Sequence, residues 1–242
     1  MKDLRVSLVI PAHNASEWLP HAVSSCFDQT YKNCEVVIVD DGSTDSTPKY
    51  LKWLGELDVE QRKGVDVVIQ RSDVNIGISA ARNLGNRKAS GDVICVLDAD
   101  DYCHPDRAKK TVDAIKKGAE YVYGSAEVMD VFGKKMDTLP ADVFNFEKAK
   151  ETLENSIVHS SVGYTKGLAL KYPYSEEESI SKLGIDDWSH QITLATSGVK
   201  MEFIPSVIVA YRQLRTSVSN TRDRTKVTEA KKRYLDSLLV PA

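Results

Sequence analysis

Apolar residues along the chain gather in short unbroken runs separated by longer amphipathic stretches. Arg5 to Ile10 alternates with β-branched residues, Cys34 to Val39 and Val65 to Gln70 follow as further strands, and Val93 to Leu97 is a run of five β-formers with no polar alternation. Such runs suit strands buried on both faces of a mostly parallel sheet. Pro11 is expected to end the first strand, because it cannot donate to a ladder. Between the strands the period lengthens to that of a helix. Leu19, Val23 and Phe27 form one apolar stripe behind a cap at Asn14 or Ser16, and Thr44 to Leu57 makes a second helix with Pro48 in its first turn. A third helix follows the turn at Asn75 and Gly77, carries Arg82, Asn83, Arg87 and Lys88, and ends at Gly91; a fourth begins near Pro105. This alternation predicts right-handed crossovers and helices on both faces of the sheet.

After Glu120 the rhythm changes. Tyr121 to Ser125 and Glu127 to Met136 read as paired strands with a turn at Phe132-Gly133-Lys134, and Phe144 to Leu153 as a short helix. Ser156 to Tyr174 is irregular, aromatic and polar, which suggests a binding wall rather than a core element. Gly184-Ile185-Asp186-Asp187-Trp188 opens a helix to about Thr196, Met201 to Ala210 is a strand, and Arg212 to Arg224 is a basic loop. Thr225 to Leu239 is an amphipathic helix with Val227, Ala230, Tyr234, Leu235 and Leu238 on one face. The predicted class is α/β, a Rossmann-like mostly parallel sheet joined to a smaller mixed region.

Composition excludes several classes. The 242 residues allow one large domain with a full core, and 42% apolar with 28% charged residues is ordinary for a globular protein. A formal net charge of -3 argues against general nucleic-acid binding. No apolar run approaches the roughly 18 residues of a membrane span, and the N-terminus is not patterned as a signal peptide. Cys26, Cys34, Cys95 and Cys103 share no metal-ligand spacing and are expected to be reduced thiols in a cytoplasmic protein.

Candidate chemistry lies where the apolar runs stop. One ends in Asp98-Ala99-Asp100-Asp101 and another in Asp40-Asp41-Gly42-Ser43, at the edge where open α/β sheets bind ligands. Carboxylates this close raise one another's pKa unless a cation sits among them, which points to a hard divalent metal. A solvated acidic turn explains either cluster alone, but two on one edge are harder to ascribe to chance. Arg82, near the start of a helix at that edge, either reaches a phosphate or is a solvated or salt-bridged side chain. Asp186 and Asp187 either serve the helix N-terminus or hold a carboxylate toward a cleft.

The succession PAHN, VDDGSTDST, NIGISAARNLGNRKASGD, VLDADD and DDW resembles the family 2 inverting glycosyltransferases of the GT-A fold, closely over Val6 to Arg107 and patchily to Ser219. The resemblance implies a GT-A domain over 1–224, with 1–118 binding the nucleotide and 119–224 the acceptor, followed by a C-terminal amphipathic helix over 225–242. It implies a nucleotide-diphospho-sugar donor, usually a UDP-sugar, and Mn²⁺ or Mg²⁺. Carried over by position, Pro11, Ala12 and His13 line the nucleotide pocket through backbone, and Asp41 accepts a hydrogen bond from uracil with Asp40 beside it. Asn14, Asn75, Gly77, Arg82 and Ala99 belong to the same donor pocket. Asp100 is the metal ligand, Asp98 joins it while facing ribose or sugar, and Asp187 is the general base, with Asp186 where the family usually has Glu.

One segment departs from the family. Relatives carry Tyr-Arg-x-His-x-x-Ser-x-Ser, whereas Leu214 here cannot ligate a metal, so Arg212 or Arg215 is expected to hold the diphosphate. The processive Gln-x-x-Arg-Trp pattern is missing, which favours single transfer to a glycan, lipid-linked or other hydroxyl acceptor. The basic run from Arg212 to Arg233 suits peripheral contact with anionic lipid or, more simply, a solvated helix face. The rival function is a nucleotide-sugar-binding or scaffold protein that keeps the fold without turnover. A sugar nucleotidyltransferase would need a Gly-rich basic loop after the first strand, and a dehydrogenase a G-x-G-x-x-G there; PAHNASEWLP is neither.

Overall fold

The computed structural model describes residues 3–214 and 222–239. Strands β1 (Val6–Ala12), β2 (Cys34–Asp41), β3 (Asp66–Ser72) and β4 (Val93–Val96) lie parallel in the order β3-β2-β1-β4. Helices α1 (Leu19–Phe27), α2 (Thr47–Glu56), α3 (Ile78–Lys88) and α4 (Arg107–Lys116) connect or flank them. Val6, Leu8, Ile10, Val36, Ile38 and Cys95 pack on one face with Leu19, Leu51 and Val112. Val9, Val37, Ile94 and Val96 point to the opposite core with Ala89, Leu168 and Leu194. β1, β2 and β4 are buried on both faces, whereas β3 at the edge of the sheet is only half-buried.

The first strand does not end at Pro11. Pro11 pairs with Val39 and Ala12 with Asp40. Leu97 donates its N–H to the Val9 carbonyl at 2.9 Å, so Val9 and, by the two-residue period of a strand, Pro11 turn their backbone toward β4. The pairing of β1 with β4 stops at Val9 and Val96, so no acceptor stands opposite the donor that proline lacks.

Beyond β4 the sheet continues through β8 (Gly163–Thr165), β6 (Tyr121–Met129), β9 (Met201–Arg212) and β5 (Tyr102–Cys103), with β7 (Lys135–Leu139) paired to β6. Among the described residues these nine strands make one sheet. β8 runs antiparallel to both β4 and β6, which corrects the reading of Ser156 to Tyr174 as a binding wall. That segment holds a 3-10 turn (His159–Ser161), a central strand and helix α6 (Lys166–Lys171), and Tyr164 within it is fully buried. Glycine makes the insertion feasible: a Cβ at Gly163 would lie 2.7 Å from Thr111 Cγ2 of α4. Buried Arg107 completes the join by donating to the Val96 and Val162 carbonyls at the ends of both strands.

Two further expectations change. β6 runs unbroken to Met129, and the hairpin turn falls before β7 with Gly133 at φ +80. β9 extends past Ala210 to Arg212, and its register skips from Ile204 to Val207, a bulge that accommodates Pro205. The remaining helices are α5 (Phe146–Thr152), α7 (Glu178–Ser181), α8 (Asp186–Thr196) and α9 (Arg224–Leu239). α9 buries Val227, Ala230 and Leu235 against the α7–α8 region, while Arg224, Lys226, Lys232 and Arg233 are exposed. Among the described residues no helix is long and apolar enough to cross a membrane.

Substituting Gly163→Ala should destabilise the protein by about 1–3 kcal/mol through overpacking against Thr111. In urea titrations, adding Thr111→Ser, which removes the clashing methyl, should recover part of that loss.

Candidate active site

The ends of β1, β2 and β4 meet at one rim, and β2 organises one side of it. Asp41 accepts the Ile76 N–H at 2.6 Å and the Gly77 N–H at 3.0 Å, and Asn75 Oδ1 also accepts from Gly77 at 3.0 Å. The 74–77 loop passes so close behind that a Cβ on Gly42 would lie 2.4 Å from the Val74 carbonyl carbon. Gly42 at φ +65 and Gly77 at φ +89 supply the left-handed backbone these turns need. Asp40 is buried, pairs with Arg71 at 3.0 Å and accepts the Ser43 N–H at 2.9 Å. His13 donates Nδ1–H to the Asp41 carbonyl at 2.7 Å, and Asn14 Oδ1 accepts the Thr44 N–H at 2.8 Å. Pro11 and Ala12 are buried in β1 just beneath. Both Asp41 oxygens thus hold the neighbouring loop, each with a lone pair left for a ligand.

The acids after β4 have three different surroundings. Asp98 donates its N–H to Ser160 Oγ at 3.0 Å, and its carboxylate takes Arg82 Nη2 at 2.8 Å. Asp100 is half-buried past the buried Ala99, and burial followed by the charge of Asp98 raises its carboxyl to about 6. Asp101 is fully buried and accepts the Arg212 N–H at 2.7 Å. Burial and the charges of Asp100 and Asp98 push its carboxyl well above the usual range.

Arg212 corrects an expectation. It ends β9 with 1% of its surface exposed and donates to the carbonyls of Asp100 at 2.9 Å, Asp130 at 3.0 Å and Val131 at 2.8 Å. Its guanidinium also lies 4.4 Å from the Trp18 ring centroid. This side chain ties the hairpin turn to the acidic loop and is not free to hold a diphosphate. Arg215, the other expected diphosphate ligand, lies outside the described residues.

The other side of the rim is built by α8, whose N-cap position is Ile185 with no side-chain cap. Buried Asp186 accepts from Arg82 Nη1, so one guanidinium spans the acidic motif after β4 and the acidic pair of α8. Burial alone would lower the pKa of Arg82, but Asp186 and Asp98 outweigh it and the pKa is raised. Tyr174 lies beneath, its ring centroid 5.5 Å from the guanidinium carbon. Asn83 fixes it, accepting the Tyr174 N–H and donating to its carbonyl, each at 2.9 Å. Asp187 accepts the Trp188 N–H on Oδ1 and the Asn155 side chain on Oδ2, both at 2.6 Å. Burial, then the charge of Asp186, raises its carboxyl to about 6.

The rim therefore gathers His13, Asn14, Asp40, Asp41, Asn75 and Gly77 on one side, and Arg82 links Asp98 to the α8 acids on the other. Asn155, Tyr174 and Asn83 carried no local sequence signal, because each acts across a contact distant in the chain. Among the described residues no three or more His, Cys, Asp or Glu side chains converge as a metal cage. Asp98 and Asp100, the second raised by burial and by the charge of the first, instead fit Mg²⁺ or Mn²⁺, which takes one or two carboxylates and completes its shell with water and phosphate.

A family model described as Glycosyl transferase family 2 matches residues 7–166. The chain is 28% identical over 228 residues to Glycosyltransferase GlyA of Streptococcus pneumoniae, covering 90% of this chain and 32% of that protein. It is 37% identical over 117 residues to the Amylovoran biosynthesis glycosyltransferase AmsB of Erwinia amylovora, covering 48% of this chain and 38% of that one. The chain thus spans roughly a third of the length of these curated relatives. Residues 1-349 of S. aureus TarS in complex with UDP-GlcNAc align with a TM-score of 0.71 at 16% identity, covering 98% of this chain and 68% of that one. The mannosyltransferase PcManGT from Pyrobaculum calidifontis in complex with GDP-Man and Mn2+ aligns at 0.66 and 17% identity, covering 90% and 59%. At such identities the likeness speaks for the fold, which is GT-A.

Replacing Arg82 by Met should cost about 3–5 kcal/mol in denaturant unfolding at neutral pH, because it strands the buried Asp186 carboxylate. The loss should shrink in acid, where Asp186 can protonate.

Proposed function

The chain belongs to glycosyl transferase family 2, and from that premise we propose that it moves a sugar from a nucleotide-diphospho-sugar, UDP-linked, to an acceptor hydroxyl with inversion. The observation that carries this reading is the Arg82 bridge. It fixes Asp98 and Asp186 to one guanidinium, and so keeps Asp100 and Asp187, the next acids along each motif, at the same rim.

Asp187 is the base. A carboxyl near 6 is mostly ionised at neutral pH yet basic enough to take the proton of an attacking hydroxyl, the compromise general-base catalysis favours. As that oxygen bonds to the anomeric carbon, the bond to the departing diphosphate breaks on the opposite face, so configuration inverts and no enzyme nucleophile is needed. Asp100, with Asp98, would hold Mn²⁺ or Mg²⁺, which supplies Lewis-acid stabilisation to the diphosphate. The nucleoside lies over the end of β1 and against Asp41, whose remaining lone pairs face a base N–H. Asn14 and the 74–77 loop wall that pocket, and Arg82 acts on the sugar end by orienting Asp98 rather than by touching phosphate.

Thermal-shift titration with UDP- and GDP-linked sugars should show one nucleotide raising Tm in the presence of Mn²⁺ and losing that effect with chelator or in Asp100→Asn. No shift with any donor would defeat the reading. With the donor so found, Asp187→Asn should bind it unchanged while turnover falls about 10²- to 10⁴-fold. Because Asp187 must be ionised to act, wild-type kcat should rise with pH up to about 6 and then level.

A further inference from the structure

A base that must meet a hydroxyl needs a fixed rotamer, and the segment between α5 and the 3-10 turn supplies the means. Asn155 Nδ2 lies 2.6 Å from Asp187 Oδ2. The orientation of this carboxamide is settled by its other end, since Asn155 Oδ1 accepts the Ile157 N–H at 3.2 Å. Only the NH₂ can then face Asp187. With Trp188 N–H on Oδ1, each carboxylate oxygen is held by one donor, and the remaining lone pairs are free for a substrate.

What holds Asn155 is equally specific. α5 ends at Leu153, a non-glycine residue at φ +56. The Leu153 carbonyl accepts from Nζ of Lys231, carried by α9, at 2.6 Å. Lys231 is 5% exposed, and its ammonium lies 4.7 Å from the centroid of the Trp188 ring, next to Asp187. One buried cation therefore grips both the turn that delivers Asn155 and the helix that delivers Asp187. α9 lies outside residues 7–166, over which the family model matches.

We propose that Asn155 is the positioning residue of Asp187 and that Lys231 locks the pair, so that the C-terminal helix is part of the catalytic apparatus. The proposal rests on Asp187 being the base, but its geometry can be tested without turnover. The charged groups around Asp187 are Asp186, Arg82 and Lys231, with Arg222 and Glu154 acting on Lys231 and the Tyr121 hydroxyl also near the carboxylate. Burial holds Lys231 down to about 8, so it remains cationic through the range in which Asp187 titrates.

The test is a carboxyl-carbon NMR titration of aspartate-labelled full chain, with the Asp187 signal assigned by its disappearance in Asp187→Asn. A hydrogen bond to an ionised carboxylate favours the ionised form, so Asn155→Ala should raise the Asp187 midpoint by about one pH unit or more. Lys231→Met, which keeps the packed stem, should move it the same way. An unchanged midpoint in folded Asn155→Ala overturns the role of Asn155, and an unchanged midpoint in Lys231→Met overturns that of Lys231. Should the alanine variant fail to fold, the isosteric Asn155→Asp decides. Two carboxylates at this separation must share a proton and titrate in two well-separated steps, whereas independent single titrations would refute the contact. None of these outcomes depends on the donor, so failure here is distinguishable from failure of the glycosyltransferase reading.

Discussion

One buried guanidinium, that of Arg82, decides how the rim is charged. Arginine stays protonated even when buried, and an unpaired guanidinium in a protein interior is costly enough that carboxylates must meet it. Arg82 meets two, Asp98 from the end of β4 and Asp186 from the start of α8, elements far apart in sequence and joined through this side chain. Burial and a like-charged neighbour, Asp98 for Asp100 and Asp186 for Asp187, raise the next acids along each motif to about 6, while Arg82 still favours the ionised form of Asp187.

The other polar contacts keep this arrangement in register. Asn83, the neighbour of Arg82 in α3, fixes Tyr174 beneath the guanidinium, and Ser160 receives the Asp98 backbone N–H. Asp101 and Arg212 bolt the end of β9 to the acidic loop from the other side. These buried contacts stiffen the site, although Asp101 Oδ2 and Arg82 Nε have no hydrogen-bond partner of their own among the described residues.

The sequence was legible wherever structure follows from a local pattern. The apolar runs located β1, β2 and β4, and the abrupt change to Asp40-Asp41 and Asp98-Ala99-Asp100 marked the rim, because a strand interior buried on both faces is apolar while its end offers carboxylates to loop N–H groups and arginines. Pro11 misled, since a strand tolerates proline where its neighbour has already diverged, and that depends on the length of β4. Gly163 to Thr165 was hidden for a related reason: a three-residue strand leaves too little periodicity to detect, and its polar, aromatic flanks resemble a loop. Arg212 reads as a basic loop residue in one dimension and becomes a core residue only when three backbone carbonyls surround it. Asn155 gave no signal at all, and Lys231 reads as one more basic residue of a solvated helix face although it is buried, because the partners of both lie across the fold.

The short strand between β4 and β6 also governs how the molecule can move. Many two-lobed enzymes bind between bodies that swing about a hinge, but here the strands before and after Glu120 share one hydrogen-bonded sheet, stitched by β8 and by the Arg107 contacts at its end. Rigid-body closure would shear those ladders. Movement is thereby confined to the connections above the sheet, and the one between β7 and β8 is itself anchored, since Ser160 accepts the Asp98 N–H and Asn155 donates to Asp187.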